Sequence, residues 1–319
     1  MTRIKKFLKD WTLPVAIAVG TAIYLIFYYV PQLDKAGNWL APIIDTIFPL
    51  TLFLSLLTTF CRIDFHQMRP HAWHGGVLAT QLLLVVACCV WIIHIGGNPG
   101  QKLLWESLLT CIIGPAATAS PVVTGKLGGN ITTMTAYVVV SSVLSAVMIP
   151  VVFPLLEQTV DADFLSAFAI ILQKLSLVLI LPLLLGWLLQ HRAPRLCQSI
   201  ASVPDLSFYL WCLALSITTG ITVRNIVHSH VSSDLLILIG ISSLLLCLLQ
   251  FVIGRAIGRV LGEEVNSGQA LFQKNTALSI WVAYMYLNPV ASIGAGCYVL
   301  WQNIINSLEL WHYRRTHQA

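Results

Sequence analysis

Apolar runs alternate along the whole chain with short polar or charged connectors. They cover residues 13–31, 41–60, 73–95, 103–125, 131–153, 167–189, 203–221, 234–260, 266–288 and 291–311. Each is close to the roughly 20 residues a helix needs to cross the hydrocarbon core of a bilayer. The runs are continuous rather than alternating residue by residue, which argues against a transmembrane barrel. The pattern predicts an all-α polytopic membrane protein of about ten spans, with 1–319 forming a single transmembrane domain.

Two runs break the pattern. The fourth is apolar from Leu103 to Ile113 and then reads Gly-Pro-Ala-Ala-Thr-Ala-Ser-Pro over 114–121. Pro115 and Pro121 donate no backbone hydrogen bond and clash with the preceding helical turn, so Gly114, Pro115 and Pro121 mark a helix break. The ninth run carries Gln269, Gln273, Lys274, Asn275 and Thr276 in a stretch otherwise suited to lipid, with the break placed at 272–276. Unwound backbone at membrane depth persists only where it is buried in protein or lines a wet cavity. A single such segment is equally well read as a proline kink at a tight helix contact. Two of them, at equivalent places in two five-span halves, point further. An odd number of spans per half makes the halves inverted repeats, and matched breaks in such repeats mark a transporter's binding site.

Charge then orients the chain. With the N-terminus inside, the cytoplasmic segments hold Arg3, Lys5, Lys6, Lys9, Arg62, Arg69, Lys126, Arg192, Arg195, Arg255, Arg259, Arg314 and Arg315, and the outer loops only Lys35, Lys102 and Arg224. Both termini are therefore expected in the cytoplasm, in a multi-pass protein of the cell (inner) membrane. The basic start leads into a first run long enough to remain as a span rather than be cleaved. The net charge of +5 is mostly this topology signal and calls for no nucleic-acid partner. The composition, 57% hydrophobic and 10% charged with a mean hydropathy of +0.81, agrees with the spans.

Chemistry-bearing residues are few. The eight cysteines form no Cys-x-x-Cys pair and read as small packing residues. His66, His71 and His74 cluster in one connector, and His228 and His230 in another, but neither set completes a metal site. Arg255 and Arg259 read as arginines snorkelling to the cytoplasmic surface. Gln302, Asn303 and Asn306 share a face of the tenth run and look inward, towards the ninth run or a crevice. An intramembrane enzyme would need a nucleophile with its base, a metal set or paired carboxylates. The runs hold carboxylates only near their ends, Asp45, Glu106 and Glu309 with Asp205 and Asp234 at the very edges, so no enzyme is expected and no cofactor is called for. Lys274 is costly at the centre of a membrane, by ~2.5–3.5 kcal/mol on insertion scales. Its candidate partners are freed carbonyls of the two breaks and Ser120, Thr124, Asn130 and Asn275.

These residues resemble the bile acid:sodium symporters. In that family a Pro-Gly-Gly-Thr-Ala-Ser-Asn break in the fourth helix leads within about nine residues to Gly-Asn. Here Pro115-Ala116-Ala117-Thr118-Ala119-Ser120-Pro121 leads to Gly129-Asn130. The ninth-helix pattern Gln-Asn-Ser-Ala-Leu-Ala is similar to Lys274-Asn275-Thr276-Ala277-Leu278-Ser279. Weaker echoes are Arg62-Ile63-Asp64-Phe65, Gln81, and Leu181-Pro182 with Leu185-Gly186. The resemblance implies a ten-helix inverted repeat with helices 4 and 9 crossing. Its panel would be 13–60 and 167–221, and its core 73–153 and 234–311. It also implies an organic-anion substrate carried by alternating access.

Together with the polar residues read above, the candidate site is Thr118, Ser120, Thr124, Asn130, Gln273, Lys274, Asn275, Thr276, Gln81 and Asn303. Where the family holds sodium ligands, this chain has Pro121, Met134, Val138, Ala270 and Lys274, which argues against the usual two-sodium coupling. A one-residue shift of the ninth helix would return Gln273 as a ligand. Coupling to protons, none at all, or an ammonium in place of the ion all stay open. So do a sodium-coupled bile-acid-like symporter and, at lower weight, a channel or a non-transporting sensor.

Overall fold

The computed structural model describes residues 12–62, 69–95, 98–156, 164–203 and 206–317. The N-terminal basic cluster and residues 63–68, with Asp64 and His66, lie outside them. The described chain is nearly all helical, and all its α-helices but Pro194–Ser202 fall on the apolar runs. They are α1 (Thr12–Tyr29), α2 (Asp34–Cys61), α3 (Ala72–Ile95), α4 (Pro99–Ile113), α5 (Ser120–Lys126), α6 (Ile131–Leu156) and α7 (Phe164–Leu175). There follow α8 (Leu181–Arg192), α9 (Pro194–Ser202), α10 (Leu206–His228), α11 (Ser233–Leu261), α12 (Glu264–Phe272), α13 (Thr276–Tyr286) and α14 (Ser292–His317). A π-helical turn over Ser176–Ile180 joins α7 to α8. Among the described residues, five helices are long and apolar enough to cross a membrane: Lys35–Cys61, Ala72–Ile95, Ile131–Leu156, Phe164–Arg192 and Ser233–Leu261.

Local chemistry places the helix ends. Asn98 caps α4 by accepting from the N–H groups of Gly100 and Gln101, and Pro99 sits where its missing N–H is harmless. Ser232 caps α11 through Leu235 N, and Gly262 ends it at φ 90°, a left-handed conformation that glycine adopts without strain.

Packing turns a soluble protein's pattern inside out. Leu83, Val90 and Ile93 of α3 and Leu245 and Val252 of α11 are exposed, while Gln81, Thr110, Ser141, Ser145, Gln250 and Lys274 are buried. Apolar side chains facing outwards and polar ones inwards suit a solvent of lipid. α10 packs on α1 and α2, and α2 on α8. Separately, α11 packs on α12, α14 and α4, α3 on α4, and α5 on α6. α10 also touches α13 and α14, and α2 touches α13, where these two groups meet.

One reading from sequence is corrected, and two of the histidines find packing roles. Arg255 and Arg259 do not simply snorkel. Arg255 pairs with Glu309 of α14 and, at 3.3 Å, with Glu264 of α12, and Arg259 lies 3.0 Å from Glu264. His74 is a packing residue of α3, its Nε2 3.1 Å from Thr133 O and its ring edge-on to Trp73. His228 belongs to an aromatic cluster with Tyr24 and Tyr28.

Candidate functional site

The fourth span stops being helical after Ile113 and resumes at Ser120; the ninth stops after Phe272 and resumes at Thr276. The two gaps lie against each other and pair as a minimal antiparallel bridge centred on Ala116 and Lys274. Ala117 N donates to Gln273 O at 2.8 Å, and Asn275 N donates to Pro115 O at 2.8 Å. Each gap thus meets part of the other's backbone demand, as buried peptide groups require.

Side chains from surrounding helices take the remaining freed groups. Gln81 Nε2 donates to Ile112 O at 3.1 Å and to Gly114 O at 3.0 Å, and Ser145 Oγ donates to Ile113 O at 2.9 Å. Ala116 N donates to Ser141 Oγ at 3.1 Å. At the second gap, Tyr298 OH donates to Phe272 O at 2.7 Å, and Ser120 Oγ reaches Gln273 O at 3.4 Å. Gln302 grips the backbone of Lys274 on both sides, accepting from its N at 3.0 Å and donating to its O at 3.2 Å. Gln250 ties the gaps together by donating to Tyr298 OH at 2.9 Å and to Cys111 O at 3.3 Å. A side chain at Gly114 would put its Cβ 2.2 Å from Ser279 Oγ, so the close approach of the gaps needs glycine there.

The sequence-predicted residues divide among several tasks. Gly114 and Pro115 lie in the first gap, whereas Pro121 sits in the first turn of α5, where proline is tolerated. Asn130 is a helix cap: its Oδ1 accepts from Thr132 N at 3.0 Å and Thr133 N at 3.2 Å at the start of α6. Asn275 caps α13 through Leu278 N at 3.2 Å. Thr118 and Asn275 line a small cavity with Leu52, Ser55, Leu56, Ala214 and Ala277, between the gaps and helices α2 and α10. Thr124 and Thr276 are buried beside the gaps. Asn303 Nδ2 bonds back to Val299 O within α14, and of the inward-looking residues Gln302 is the one that bonds to the second gap.

The freed carbonyls do not serve Lys274. Its side chain is 1% exposed, and Nζ has no hydrogen-bond partner among the described residues. Met134, Val138 and Ala270, where the resemblance would put sodium ligands, instead pack with Trp73, Val77, Ala116, Tyr137 and Leu271 in a dry apolar cluster. The sequence reading missed Gln250, Ser141, Ser145 and Tyr298. Each was visible as a polar group inside an apolar run, but which distant carbonyl it serves was not.

A sequence model of the Sodium Bile acid symporter family matches residues 49–259. The chain belongs to the sodium bile acid symporter family. A search of curated proteins finds no match. Members of the family are transporters rather than enzymes, and the membrane-length helices agree with a multi-pass membrane protein. The matched region contains the first gap and ends before the second, so the pairing with 273–275 rests on geometry alone.

Proposed function

We propose that the protein is a secondary carrier of a small or amphipathic organic anion, working by alternating access about the paired gaps and without the two-sodium coupling of the family it belongs to. The carrying observation is the mutual backbone pairing of 115–117 with 273–275 beside a cavity shared with α2 and α10. In this reading the ten spans form two inverted five-span repeats with the fourth and ninth crossing at mid-membrane. Residues 13–60 and 167–221 form a panel that rocks against a core of 73–153 and 234–311, with both termini cytoplasmic in the inner membrane. The cavity holds no more than about one water as it stands and would have to widen as panel and core part; its lining then offers an amphipathic anion apolar contact from leucine and alanine, hydrogen bonds from Ser55, Thr118 and Asn275, and positive potential from the N-terminus of α13.

The sodium-independent reading rests on Met134, Val138 and Ala270, whose side chains carry none of the oxygens that a hard cation requires. A sodium-coupled bile-acid-like symporter is the second reading, favoured by the family's name and by Gln273, whose Oε1 has no hydrogen-bond partner among the described residues. Reconstituted protein should take up or exchange an organic anion saturably in sodium-free medium. A steep sodium requirement supports the second reading. Neither transport nor thermal stabilisation across a broad anion panel would end both.

A further inference from the structure

The pairing of the gaps uses the backbone of Lys274 fully and its side chain not at all. Gln302 and the Ala116 bridge hold the main chain, while Nζ is buried without a hydrogen-bond partner among the described residues. Other charges near the ends of the neighbouring helices are paired: Arg255 with Glu264 and Glu309, Arg259 with Glu264, and Lys102 with Glu106. Successive side chains of an extended segment point to opposite faces, and directly bridged residues share one. Asn275 lines the cavity towards α2 and α10, so Lys274 lies on the other face, with Ala116 and the apolar cluster of Met134, Tyr137 and Val138.

We propose that the Lys274 ammonium is a built-in counter-charge, balancing the substrate anion from behind the bridge so that the anion binds without an added metal cation. This rests on the carrier reading above. A charge held in low dielectric with no partner raises the energy of the empty site, and an anion entering the cavity across one layer of backbone lowers it. The same charge repels cations, so it selects for sign as well as affinity. One ammonium balances one negative charge, which favours monovalent over divalent anions.

The test uses the full chain in sodium-free choline medium, with taurocholate, cholate and benzoate as probes. Taurocholate is a monovalent sulfonate that stays ionised across the working pH range. Lys274→Met keeps most of the side-chain volume and removes the charge. The proposal expects two effects of opposite sign: an upward shift in unfolding temperature of the ligand-free protein, and roughly tenfold or weaker anion binding. Lys274→Ala should lose binding as well, and added propylammonium should restore it where equal sodium does not. Lower stability with unchanged affinity in Lys274→Met would mean a packing lysine and overturn the proposal. Anion binding by the wild type only when sodium is present overturns it too, while leaving the carrier reading intact. If the wild type binds none of the probes in either medium, the carrier reading falls and this proposal with it.

Discussion

The two gaps solve one problem with different materials. The first runs over residues 114–119, is built of small residues, and has its carbonyls covered by Gln81 and Ser145 from α3 and α6. The second is confined to 273–275, carries long polar side chains, and is gripped by Gln302 and Tyr298, both from α14. Small residues let the first gap approach closely, and its upstream groups take their hydrogen bonds from neighbouring helices while Ala117 O and Ala119 O are met by the first turn of α5. Larger residues let the second carry side-chain chemistry, Lys274 above all. The pair therefore divides the work: one gap provides room, the other provides polarity.

The harshest way to break this division is to fill the room. Gly114→Leu should abolish folding or transport, because even a Cβ would sit 2.2 Å from Ser279 Oγ and overpacking costs about 1–3 kcal/mol or more. The milder Gly114→Ala should be partly rescued by Ser279→Ala, measured as a double-mutant cycle in unfolding temperature; no coupling between the two would mean that the gaps do not meet there.

Next comes the grip on the second gap. Gln302→Leu leaves the N–H of Lys274 buried and unpaired, at about 1–3 kcal/mol, while its carbonyl keeps the bond from Thr276 N. Thermal stability should fall clearly and anion uptake with it. Asn303→Leu, one residue away and bonded only to its own helix, should change little. Equal effects of the two would erase the distinction between them.

A smaller loss is expected from Tyr298→Phe, which orphans Phe272 O and one contact of Gln250 for about 1–3 kcal/mol. Ser145→Ala should cost a similar or lesser amount at the first gap, since Gln81 still covers the neighbouring carbonyls. If Ser145→Ala proves the worse of the two, the second gap is not the more dependent on a single helix.

The smallest effect lies below both gaps, at the α11–α12 junction. Hydrogen bonds from Arg259, and then Arg255, hold the Glu264 carboxyl below its usual range. A depressed carboxyl stabilises the fold above the pKa of the unfolded chain and loses that contribution as pH falls through its folded value. Acid stability should therefore drop slightly less steeply in Glu264→Gln. The difference will be slight because Glu264 is over a third exposed and screened by solvent.

The first-gap motif and the ninth-span polar cluster were legible as sequence because each violates a long apolar period at a definite place. The family followed from the same residues. Pro115, Lys274 and the placement of the gaps could be read directly, since a proline or a lysine in a membrane-length run admits few explanations. Asn130 and Asn303 could not be placed correctly, because an asparagine beside a helix start and one inside a helix both have local partners: the next turn's N–H groups, or the carbonyl four residues back.

What the sequence alone determined is the number and course of the apolar runs, the two interruptions, and the polar side chains hidden among lipid-facing ones. These are local or periodic properties, fixed by the length of a bilayer and the few backbone states open to proline. Only the tertiary structure decided that 115–117 pairs with 273–275, and that Gln302 rather than Asn303 closes the second gap. It also left Lys274 Nζ buried without a hydrogen-bond partner among the described residues. The pairing of the gaps joins residues more than 150 positions apart in the chain, and all of these outcomes depend on which buried groups reach which others once the helices have packed.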